Sequence, residues 1–140
     1  LLLTPKARVI ADLEVFRTDG DLVLATAPEA LDDVLGTLVR ARFRKKVVLE
    51  PAAYALVWGD ADGALARIET PVGVERLLET APVDGGPLES WETARIEAGV
   101  PRYGHEFDAE TMPAEAGLVD RASDVFVVTP SLPSTSRTLP

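Results

Sequence analysis

The best-specified element of the sequence is an amphipathic helix that begins close to Pro28. Proline is tolerated in the first turn of a helix, because an N–H at that position would have no partner within the helix. Acidic residues occupy the early turns and arginines lie near the end, which complements the helix dipole. The apolar residues after Pro28 recur at helical spacing and predict one buried stripe. They are Leu31, Val34, Leu35, Leu38, Val39 and Phe43.

Strands are predicted on both sides of this helix. Residues 8–17 alternate between apolar and polar side chains, which is typical of a strand with one buried face. The Asp-Gly pair within residues 18–21 predicts a hairpin turn, since glycine adopts a positive φ at little cost, and residues 22–26 form the returning strand. This order of elements predicts an α+β fold rather than a wound parallel sheet. The other expected elements are strands at 46–50, 54–58, 64–69 and 73–78, a turn at 60–63, a loop at 81–87, and a helix at 91–98 that Ser90 caps and Gly99 ends.

Composition excludes several kinds of site. The 140 residues include no cysteine and one histidine, His105, which rules out disulfides, thiolate chemistry and metal sites built from cysteine or several histidines. The net charge of −9 disfavours a broad nucleic-acid surface, although a local basic strip is compatible with it. No apolar run approaches the roughly 18 residues of a membrane span, so no membrane partner is expected.

Two carboxylates are candidates for chemistry. Glu97 falls in the last turn of the predicted second helix, where the helix dipole disfavours an acid. Asp12 lies inside a predicted strand, on a side that it shares with Ile10 and Phe16. For each residue the alternative is an ordinary solvated carboxylate, and Glu97 can pair with a neighbouring arginine. Residue spacing alone does not choose between these interpretations.

Three stretches resemble a known family. Residues 95–108, RIEAGVPRYGHEFD, and 111–118, TMPAEAGL, are similar to the signature of the folate-binding YgfZ-like proteins, which are relatives of the glycine-cleavage aminomethyltransferase (T-protein). Residues 3–13, LTPKARVIADL, resemble the family's opening strand. The resemblance covers about residues 1–121 and identifies them as a partial folate-binding domain.

The resemblance implies a fold, a ligand and a set of site residues. It implies a ferredoxin-like subdomain that forms part of a ring around tetrahydrofolate or a one-carbon derivative. Glu97 matches the glutamate that anchors the pterin, and Asp12 matches the acid that serves the catalytic step in the aminomethyltransferases. Tyr103 and Arg102 are expected to line the pocket, and Arg95 to steady Glu97. A cytoplasmic accessory protein is implied, one that works with iron–sulfur assembly proteins and thereby supports tRNA modification.

The chain also departs from the family pattern. Ala7 stands where the family usually carries glycine. The family continues after its EAGL segment into a cysteine-containing motif, whereas residues 122–140 diverge and are predicted to be a disordered tail. The sequence is therefore expected to be a fragment. Whether it is an enzyme stays open, because a tetrahydrofolate-dependent aminomethyltransferase and a truncated, inactive remnant are the alternatives.

Overall fold

The computed structural model describes residues 1–121 and the backbone of residues 126–127. Mixed strands and helices confirm the predicted α+β class. The predicted tail at 122–140 lies outside the described residues, except for the two-residue strand. In chain order the elements are β1 (Leu2–Leu3), β2 (Val9–Ala11), β3 (Glu14–Arg17), β4 (Leu22–Ala25), a short 3-10 helix (Pro28–Ala30), α1 (Leu31–Ala41), β5 (Ala55–Trp58), β6 (Ala66–Thr70), β7 (Gly73–Leu78), α2 (Leu88–Glu97) and β8 (Phe126–Val127).

The first sheet places β1 between β2 and β8. Strand β1 is antiparallel to β2 and parallel to β8. Successive strand residues point to opposite faces, so the leucines of β1 serve two separate cores. Leu3 packs in one core with Leu1, Val9, Phe107 and Leu118. Leu2 packs on the other side with Ala11, Ala30 and Val34, which joins this sheet to α1.

The second sheet is the hairpin of β3 and β4. The predicted strand at 8–17 is divided into β2 and β3 by Asp12 and Leu13, and the predicted hairpin is confirmed. Its turn is closed by Thr18, whose N–H and Oγ1 both donate to the carbonyl of Asp21 at 3.0 and 3.1 Å. Gly20 does not adopt a positive φ, so the turn forms for a reason other than the one predicted.

The third sheet is antiparallel, with β7 between β5 and β6. Leu77 and Leu78 of β7 are buried, and the strands predicted around 54–58, 64–69 and 73–78 are confirmed. The strand predicted at 46–50 is wrong, because residues 42–54 form no strand. Val47 and Val48 are exposed there, so no burial of apolar surface stabilises an extended pairing.

Both predicted helices are present, with different ends. In α1 the buried stripe is narrower than expected, because Leu31 and Val39 are exposed and Phe43 lies beyond the last turn. Helix α2 begins at Leu88, and no side chain caps its start, so the cap predicted for Ser90 is wrong. Its predicted end is confirmed: Gly99 has φ +64°, and the N–H groups of residues 99 and 100 donate to the carbonyls of residues 96 and 95.

Candidate functional site

A large open cavity lies between the hairpin β3–β4, the sheet β5–β7–β6, the end of α1 and the segment after α2. Its volume is about 1880 Å³, and its lining is mainly apolar. Typical sites for drug-sized ligands measure about 300–1,000 Å³. The cavity is therefore large enough for an elongated ligand. Apolar lining residues from the two sheets are Val15, Leu22, Leu24, Leu56, Ile68 and Val72.

Besides Glu69, which is exposed, three carboxylates lie in this apolar lining: Asp12, Glu14 and Glu75. Glu75 points inward from the central strand β7 and is only 3% exposed. The indole Nε1 of Trp91 on α2 donates to its Oε1 at 3.3 Å. Glu75 thus connects the third sheet to the second helix inside the cavity wall.

Burial raises the pKa of two of these acids, Asp12 and Glu14, and nearby negative charge raises that of Glu14 further. Desolvation, together with the charge and hydrogen bond of Glu75, raises the pKa of Glu14 to about 8. Desolvation also raises the pKa of Asp12, partly offset by a backbone hydrogen bond. Two carboxylates that meet in a poorly hydrated site cannot both ionise cheaply, so Glu14 holds a proton at neutral pH. The cavity therefore presents a carboxyl group, that of Glu14, which can donate a hydrogen bond.

Arg95 organises the segment that follows α2. Its side chain is 3% exposed and forms ion pairs with Glu92 at 2.6 Å and Glu106 at 3.1 Å. It also donates to the carbonyl of Val100 at 3.1 Å, and its guanidinium lies over the Trp91 ring, 6.0 Å from the centroid. A planar guanidinium with five donors can satisfy such a set of partners, which an ammonium cannot. Arg95 does not line the cavity; it holds in place the segment that contributes Arg102 and Tyr103 to the lining.

Arg102 and Tyr103 reach the cavity from this organised segment. The backbone N–H of Arg102 donates to Glu106 Oε2 at 2.9 Å, and its guanidinium contacts Glu92. The Tyr103 ring meets Phe107 edge to face with centroids 5.5 Å apart. Desolvation, and then the nearby acidic residues, raises the pKa of Tyr103, so it stays a neutral phenol.

Glu97 is the exception among the predicted site residues. It is exposed and does not belong to the cavity lining. Residues two apart on a helix point about 200° apart, so burial of Arg95 turns Glu97 towards solvent. The pocket position that the resemblance implies for Glu97 finds no support here, and neither does the steadying contact expected from Arg95. By contrast, Asp12, Arg102 and Tyr103 do meet on one cavity.

The sequence reasoning missed Glu14, Glu75 and Trp91. Glu14 shares its strand pattern with Asp12, and Glu75 interrupts the apolar run of β7; both were signals of a buried acid. Among residues 1–121 no group of three or more histidine, cysteine or acidic side chains could hold a metal ion. Nor does any helix in that range combine the length and apolar character needed to cross a membrane.

Comparison with protein-family models, with curated proteins and with solved structures finds no match to the chain. Any function must therefore be argued from the cavity and from the sequence resemblance.

Proposed function

We propose that this chain is a folate-binding accessory protein of the YgfZ type, with the ligand in the large cavity. The observation that carries the proposal is the convergence of Asp12, Arg102 and Tyr103 on that cavity. These three residues come from two separate parts of the sequence, and both parts line the same cavity.

The chemistry of the lining suits tetrahydrofolate. A pterin has a flat face, an N–H edge with an exocyclic amino group, and a carbonyl acceptor. The apolar side chains of the cavity suit the flat face. An ionised carboxylate of the lining can accept hydrogen bonds from the N–H edge, and a protonated carboxyl group can donate one to the pterin carbonyl. The cations available to the glutamate carboxylates of the ligand are the three arginines of the lining, Arg40, Arg102 and Arg121.

The same proposal includes a ferredoxin-like subdomain and a ring completed around the ligand. It also includes support of iron–sulfur assembly and tRNA modification. The chain has no cysteine, so it contributes no thiolate ligand to a cluster. The role proposed here is accessory, with folate as the cofactor.

An aminomethyltransferase is the second candidate, because Asp12 lies in the cavity with a raised pKa. An acid that titrates closer to neutral pH is suited to proton transfer at a folate nitrogen. We expect no glycine-cleavage turnover when the lipoyl carrier is supplied. Turnover that is lost in Asp12→Asn would replace the accessory role with the enzymatic one.

Calorimetry with 5-formyltetrahydrofolate tests the binding proposal. We expect saturable binding that weakens at least tenfold in Asp12→Asn and in Tyr103→Ala. Glu97→Gln and Glu75→Gln form a matched pair. Loss of folate binding in Glu97→Gln would place the pterin near the end of α2, and loss of binding in Glu75→Gln would place it beside the carboxylates of the cavity lining. Absence of binding by the unmodified chain would refute the proposal.

A further inference from the structure

The last two residues of α1 and the segment that follows concentrate positive charge in an otherwise acidic protein. Residues 40–48, RARFRKKVV, are called the basic loop here, and they contain five of the 14 basic residues. No acidic residue occurs between Asp33 and Glu50. The other parts of the chain hold nine basic residues against 23 acidic ones, so the basic loop is a local reversal of sign.

The five cations are exposed and are not neutralised by the fold. Arg40, Arg42, Arg44, Lys45 and Lys46 are all solvent-exposed. Within residues 1–121 the ion pairs involve Arg76, Arg95 and Arg102, and none includes a residue of the basic loop. Uncompensated charges close together raise the local potential and attract an anionic partner.

An aromatic residue, Phe43, lies among these cations in the sequence, and Phe43 and Arg40 also belong to the lining of the large cavity. Phe43 is 72% exposed and has a φ of +47°, a left-handed conformation that bulky residues rarely adopt. The Arg44 guanidinium lies 5.6 Å from the ring centroid. The loop around it is held in place, since Arg42 Nη1 donates to the carbonyl of Val47 at 3.1 Å and the N–H of Lys45 donates to the carbonyl of Arg42 at 2.8 Å.

We propose that the basic loop binds a single-stranded nucleic acid. Its cations contact successive phosphates, and the ring of Phe43 stacks on one unpaired base. Cations with an exposed aromatic side chain are the combination that single strands use, because phosphates supply charge and every base offers a flat face.

Charge and shape favour a single strand over other anionic partners. A duplex keeps its bases stacked inside, so Phe43 would have no base to contact. An anionic bilayer is a broad surface, and it would bring the acidic remainder of the protein close to the lipid headgroups. A short single strand can follow the basic loop alone and avoid that repulsion within the Debye length of about 8 Å.

Fluorescence anisotropy with 5′-labelled decauridylate tests this proposal. We expect saturable binding at 50 mM salt that weakens roughly 100-fold at 200 mM, because about five phosphate contacts give a log–log slope near −3.5 for single strands. Phe43→Ala should weaken binding between about five- and 160-fold, the range that corresponds to the loss of one base stack. Phe43→Tyr retains a flat ring and should bind like the unmodified chain.

A charge-matched pair of variants controls for general electrostatics. The double change Arg44→Gln with Lys46→Gln should reduce affinity about tenfold and make the salt slope shallower by roughly 1.4. Arg17→Gln with Lys6→Gln removes the same charges from exposed positions elsewhere and should change affinity less than twofold. The proposal would be overturned by an equal loss of affinity in both double variants or by the absence of saturable binding at 50 mM salt. It would also be overturned by binding to duplex that Phe43→Ala does not weaken, or by tighter binding to phosphatidylserine vesicles.

Discussion

The carboxyl pair of Glu14 and Glu75 predicts that the protein loses stability as the pH rises. In the folded state the pKa of Glu14 is raised to about 8, by desolvation first and then by Glu75, from an ordinary value of 4.5. Between these two values the folded chain retains a proton that the unfolded chain has released. Unfolding therefore becomes easier with every increase in pH across that window, and the effect levels off above about pH 8.

The size of the effect follows from the width of the window. Each pH unit changes the unfolding free energy by about 1.36 kcal/mol per proton retained. The whole interval gives a ceiling of about 5 kcal/mol, which is a large part of the stability of a domain of this size. In Glu14→Gln the side chain is neutral at every pH, so this component of the pH dependence should disappear.

Urea denaturation followed by circular dichroism at pH 5, 7 and 9 measures the difference. Glu14→Gln and the unmodified chain should have similar unfolding free energies at pH 5, and the variant should be several kcal/mol more stable at pH 9. Glu69→Gln, an exposed glutamate on β6, serves as the control and should follow the unmodified chain. If the unfolding free energy of Glu14→Gln fell between pH 5 and 9 as much as that of the unmodified chain, the Glu14–Glu75 pair would not be the source of the pH dependence.

Three further substitutions test the fold and the site supports. Ala7→Gly should stabilise the chain by about 0.5 kcal/mol, because Ala7 has φ +58° and glycine adopts this conformation without the Cβ penalty; a lower urea midpoint would contradict that reason. Phe16→Ala should cost about 3–5 kcal/mol, since its ring is 1% exposed, and thermal unfolding checks this. Arg95→Met should lower the unfolding free energy by about 1–3 kcal/mol, and it should weaken 5-formyltetrahydrofolate binding because Arg102 and Tyr103 are displaced. An unchanged affinity in calorimetry would show that Arg95 does not position these two residues.

Local patterns predicted the elements whose stability is local. The hairpin, helix α1 and the glycine that ends α2 could be predicted from the sequence, because residue periodicity and helix-end chemistry act over a few residues. The predicted strand at 46–50 failed for a complementary reason. Its valines favour a strand, but a strand forms only when its backbone pairs with the edge of another strand, and no nearby residue specifies such a partner.

The site was predictable in part for the same reason. Asp12 could be singled out because an acid inside an alternating strand is unusual, and the fold places it in the cavity. The meeting of Glu14 with Glu75 joins residues about 60 positions apart, and no spacing rule encodes such a contact. Glu97 lies outside the cavity lining, since the helical phase that buries Arg95 turns Glu97 to solvent.

The surroundings of Trp91 make it an intrinsic optical probe. Two guanidiniums lie 6.0 Å from its ring centroid while its N–H points to a carboxylate, so a strong electric field crosses the indole. The emission wavelength of an indole responds to such a field, and any occupant of the cavity that displaces Arg102 or Glu75 would shift it. With Trp58 replaced by phenylalanine, the single remaining tryptophan would report cavity occupancy without an added dye.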